Sequence, residues 1–130
     1  MLDFEVTYGG FRAWLTKMAT EKPRGIAGTC GSPYECPLAH YIDQFMPPEV
    51  VRVLAEGERL RGMAYIEREG TIYEVETNLW EQKTPRWAQL FMQKVDTHGR
   101  YNNRITYKTA LERLNWAAND MARNYPKEWN

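Results

Sequence analysis

The stretch MAYIEREGTIYEVET, residues 63–77, decides how this chain folds. Two runs rich in aromatic and β-branched residues flank the dipeptide Glu69-Gly70. Such a pair favours positive φ and closes a tight hairpin, so the stretch predicts two antiparallel strands. In the second run Tyr73, Val75 and Thr77 fall on one face and Ile72, Glu74 and Glu76 on the other. The period of two predicts one buried and one wet face. Upstream, VVRVL (50–54) is a β-branched third strand, joined to the hairpin by AEGERLRG (55–62), a charged linker compatible with helix.

Helical patterns lie on both sides of these strands. Phe11, Trp14, Leu15 and Met18 recur at i, i+3, i+4 and i+7, and Pro23 ends that helix ahead of a loop marked by Gly25 and Gly28. A second helix is expected from Pro37 to Met46, with Leu38, Tyr41, Ile42 and Phe45 on its core face and Pro47-Pro48 as the stop. KTPRWAQLFMQKVDTHG predicts a third, with Thr84 as N-cap, Pro85 at the first helical position and Gly99 after its end. Trp87, Leu90, Phe91 and Val95 form its apolar side. The last helix starts at Thr106 as N-cap, buries Leu111, Leu114, Ala118 and Met121, and stops near Tyr125 before Pro126. The order α-α-β-β-β-α-α defines an α+β fold in a single domain, residues 1–130, with helices packed on one face of a small antiparallel sheet.

A chain of 130 residues with 43% hydrophobic and 13% aromatic residues supports a core and argues against global disorder. Seventeen basic residues balance seventeen acidic ones, so total charge makes no case for nucleic acid or membrane. The distribution is uneven: residues 35–80 carry four bases and nine acids, and residues 81–130 nine bases and five acids. No apolar run is long enough to span a bilayer, and the first ten residues lack the basic and apolar regions of a secretory signal. Two cysteines make a disulfide framework improbable, and a reducing cytoplasm is the expected location.

GTCGSPYECPLAHYI, residues 28–42, looks most like chemistry. Cys36 and His40 are one helical turn apart and Cys30 lies upstream, so the three could ligate zinc with His98 or Glu35 as a fourth ligand. The C-x5-C-x3-H spacing lacks the two close pairs of structural zinc sites. With Pro37 at the first helical position, Cys36 occupies the N-cap, where the helix dipole favours thiolate, and His40 could take its proton. Glu35 opposes that thiolate, and no oxyanion motif accompanies the pair. The reading that explains most makes Cys36 an apolar filler at a packed loop-to-helix junction.

The combination FRAWL, GIAGTCGSPYECPLAHYI, TPRWAQLFMQKVD and ITYKTALERL resembles a group of small uncharacterised bacterial and phage-type proteins. That group shares a Cys-Pro-Leu-Ala-x-Tyr-Leu element, matched here by CPLAHYI with Ile42 in the final place. The resemblance runs from Phe11 to Leu114 and brings no activity with it; its pattern does not fix Cys30 or His40.

Three surface features remain. Residues 98–108 interleave Arg100, Arg104 and Lys108 with Tyr101, Tyr107 and two asparagines, a composition suited to single-stranded nucleic acid. The hairpin presents Glu67, Glu69, Glu74 and Glu76, either as a solvated face or as a charged docking surface. Trp129, beyond the last helix, either folds back or anchors a partner. No Ser-His-Asp order, P-loop, dinucleotide fingerprint or HExxH motif occurs, and no cofactor is expected. The sequence therefore favours a non-enzymatic protein that binds another protein through Glu67, Glu69, Glu74, Glu76 and Trp129. An accessory or inhibitor of the anti-defence type carried by phages and mobile elements is one form of this. The alternatives are a single-strand nucleic-acid binder using Arg100, Tyr101, Arg104 and Lys108, and an enzyme using Cys36 with His40.

Overall fold

A computed structural model describes residues 2–99 and 103–129, without the side chains of 66–68 and 72–76. Among these residues the chain forms α1 (Tyr8–Glu21), β1 (Ile26–Thr29), α2 (Pro37–Asp43), β2 (Arg52–Glu56), β3 (Arg59–Arg68), β4 (Thr71–Lys83), α3 (Arg86–His98), β5 (Arg104–Thr106) and α4 (Tyr107–Asn124). The α+β architecture holds, with antiparallel pairing throughout. The strands divide into a three-stranded sheet of order β2-β3-β4 and a two-stranded ribbon, β1-β5. Buried residues from all nine elements join one hydrophobic cluster.

The meander is built by its turns. Glu69 and Gly70 both adopt positive φ, 52° and 76°, as a two-residue hairpin requires, and β3 runs straight back along β4. The segment 55–62, which reads as a linker, is instead a second hairpin. Gly57 takes φ 56°, Glu56 pairs with Arg59, and alternating Val53, Ala55 and Leu60 bury their side chains. Two register shifts interrupt the β3–β4 ladder, one of them between Tyr65–Glu76 and Ile66–Tyr73. That shift leaves Glu74 and Val75 outside the pairing and breaks the strict alternation expected for 72–77.

The helices follow their apolar stripes with instructive shifts. α1 is capped by Thr7, whose hydroxyl accepts from Gly10 N–H, and buries Phe11 and Leu15. α2 ends at Asp43, three residues before the expected Met46; the chain tightens through Phe45 N–H to Ile42 and Met46 N–H to Asp43. Phe45 is consequently 47% exposed and stacks on Phe4, with ring centroids 4.4 Å apart. α3 has Pro85, not Thr84, at its N-cap, and the buried Thr84 hydroxyl has no hydrogen-bond partner. In α4 the buried line is Ala110, Leu114, Ala117 and Met121. Leu111 and Ala118 sit beside it because this helix packs against both α1 and α3, and alanine lets the backbones approach.

The N-terminal segment is fastened by side chains. Gln82 on β4 accepts from Val6 N–H at 2.7 Å and donates to Val6 C=O at 3.0 Å, while Trp80 Nε1–H donates to Phe4 C=O at 2.7 Å. Phe4 then enters an aromatic cluster with Tyr41, Phe45 and Trp80, continued by Phe11, Trp14 and Trp87.

Candidate functional site

Between β1 and α2 the chain doubles back. Thr29 N–H donates to Glu35 C=O at 2.8 Å, Cys30 N–H to Asn103 C=O at 2.6 Å, and Gly31 N–H to the Asp96 carboxylate at 3.1 Å. Gly28 is required for this path, since a Cβ there would lie 2.5 Å from Glu35 O and 2.8 Å from Pro37 N. Cys36 is the N-cap of α2 in extended conformation, as the Cys-Pro pair implies, but its sulfur makes no capping hydrogen bond. The residue is only 6% exposed. Burial pushes the thiol from 9.0 up to about 11, outweighing the pull of the Ala39 and Leu38 amides. The Cys30 thiol is also pushed up, by burial and then by the Asp96 carboxylate. Both thiols are free.

His40 is exposed, facing water while Cys36 is packed into the core. Among the described residues no three His, Cys, Asp or Glu side chains approach closely enough to hold a metal ion, so Cys30, Cys36 and His40 are not assembled as ligands. An open cleft of about 290 Å³ does lie over this junction, lined by Ser32, Cys36, Glu56, Glu58, Met92 and Asp96. Its rim carries the carboxylates of Glu56, Glu58 and Asp96, and burial disfavours the thiolate form of Cys36.

The acidic candidates lie on the meander. β2 pairs with β3 only as far as Met63, so β3 from Ala64 and β4 up to Thr77 continue as a two-stranded ribbon. Among the described residues β4 pairs with β3 alone. From Tyr65 to Gln82 the chain carries five acids (Glu67, Glu69, Glu74, Glu76 and Glu81) against one base, Arg68. Glu69, at the tip, is exposed and occupies the left-handed region at φ 52°, where glycine or asparagine is the unstrained choice. The side chains of Glu67, Glu74 and Glu76 lie outside the described residues.

The basic candidates are split. Arg100 and Tyr101 lie outside the described residues; Arg104 is on β5 and Lys108 in the first turn of α4, both exposed. The fold adds two cations that periodicity and spacing do not connect to them. Tyr107 N–H donates to Gly25 C=O at 2.9 Å and Lys108 N–H to Pro23 C=O at 3.2 Å, which seats the loop carrying Lys22 and Arg24 on the start of α4. Trp129 folds back: its ring meets Tyr8 edge-on at 4.8 Å, and Tyr8 meets Trp87 at 5.7 Å, leaving Trp129 39% exposed.

No protein-family model, curated protein or solved structure matches the chain. No helix among the described residues is long and apolar enough to cross a membrane.

Proposed function

We propose that the protein works by binding another protein, and that the acidic β3–β4 hairpin makes the contact. The carrying observation is the ribbon that extends beyond β2, its strands paired only to each other among the described residues. A two-stranded ribbon is marginal on its own in water, so a partner that packs against it would stabilise it. Its glutamates supply long-range attraction for a basic surface and accelerate encounter. Glu69 supports the same reading, because a glutamate at positive φ costs about 1 kcal/mol that asparagine or glycine would avoid. The buried, protonated thiol of Cys36 speaks against the nucleophile alternative. Free cysteines suit a cytoplasmic location, and an accessory or inhibitor of the kind carried by phages and mobile elements is one form of this function.

The test is to recover the partner from host lysate on immobilised protein, then compare association kinetics for the wild type and Glu74→Lys/Glu76→Lys. The on-rate at low salt should fall tenfold or more and converge on the wild type at high salt. An unchanged on-rate removes the hairpin from the interface.

A further inference from the structure

We infer that the β1–β5 ribbon and the first turn of α4 form a second, independent binding surface, and that its ligand is single-stranded nucleic acid. The surface is assembled from two segments about 80 residues apart in sequence, through the pairs Ile26–Thr106 and Thr29–Arg104. The Tyr107–Gly25 and Lys108–Pro23 backbone bonds then bring Lys22 and Arg24 beside Lys108, with Arg104 on the neighbouring strand. Gly25 permits the approach: a Cβ there would stand 3.1 Å from the Tyr107 ring. All four basic side chains are exposed. From Thr97 to Leu111 the chain contains no acid, and between Lys17 and Glu35 only Glu21. The start of α4 adds the positive end of an 18-residue helix dipole behind Lys108.

Two features favour a single strand over a duplex. Ile26, 50% exposed, lies among the cations and offers an apolar platform to the face of a splayed base, which a duplex hides. The footprint is also small. Four cations are enough to track a few successive phosphates of one strand. The surface owes nothing to the hairpin, so it stands whether or not the acidic face binds a protein.

The experiment is fluorescence anisotropy of a labelled 15-mer of dT with the full chain over a range of salt. Four phosphate contacts give a slope of about −2.8 in log affinity against log salt, so affinity drops about 50-fold from 50 to 200 mM. Arg24→Gln/Lys108→Gln, at exposed positions whose backbone bonds are kept, should halve the slope and leave a drop of only about 7-fold. Lys83→Gln, on the three-stranded sheet, should behave as the wild type. Absence of binding at 20 mM salt overturns the inference, as does an unaltered slope in the double variant of confirmed fold. A duplex of equal length bound as tightly overturns the assignment to single strands.

Discussion

Gln82→Met isolates the fastening of the N-terminal segment. The substitution keeps the length and flexibility of the side chain and removes both hydrogen bonds, at 2.7 and 3.0 Å, to a residue that is 0% exposed. Val6 N–H and C=O are then left without partners, at about 1–3 kcal/mol for each buried group. Solvent reaching the part-buried amide offsets some of this, so a loss of about 2–4 kcal/mol is expected. Against a total stability of about 5–15 kcal/mol that is a large fraction. For a chain of this length it lowers Tm by roughly 8–16 °C. Urea and thermal unfolding of both proteins measure it, with Gln82→Glu as a companion. A carboxylate accepts from Val6 N–H but cannot donate to Val6 C=O, so this variant should also lose stability. A Gln82→Met protein within about 0.5 kcal/mol of the wild type would refute the claim that these bonds hold residues 2–6 in place.

Thr84→Val should stabilise the protein by about 1 kcal/mol, because it replaces a buried hydroxyl without a partner by a methyl of similar shape. A capping threonine would instead cost about 1 kcal/mol when replaced, so the sign of the change in Tm decides between the two assignments. Cys36 makes stability depend on alkaline pH. Its folded pKa, about 11, lies above its unfolded value near 9, so the unfolded chain releases this proton first. The contribution is intact below pH 9 and declines by about 2–3 kcal/mol as pH rises towards 11. The difference between wild type and Cys36→Ala in urea titrations should track that fall. Rapid alkylation of native Cys36 by iodoacetamide at pH 7.5 would contradict the burial on which this rests.

Sequence and structure agree where the signal is local. Pro23, Gly99 and Pro126 punctuate the helices, and Glu69-Gly70 closes the central hairpin. Elements without a local signal are missed. β1 is four residues, IAGT, and β5 three, RIT; each becomes a strand only because the other is there, so both read as loop. The helix-compatible charges of AEGERLRG yield to the cross-strand pairing of β2 with β3. At the candidate sites, the Cys-Pro junction is legible because Pro37 at the first helical position fixes Cys36 as the cap and the flanking apolar residues imply burial. Glutamine at 82 and the loop at 22–25 carry no pattern that names Val6 or Lys108 as neighbours. Those partners exist only through the tertiary fold.

The pairing of β1 with β5 sets a timetable for synthesis. Ile26 leaves the ribosome some 80 residues before Thr106, a delay of about 4–16 s at ordinary elongation rates. The β2-β3-β4 meander, whose neighbours follow one another directly, has everything it needs well before then. A nascent chain stopped short of Arg104 therefore leaves the β5-facing edge of β1 unpaired and Ala27 without the Ile105 side of its packing.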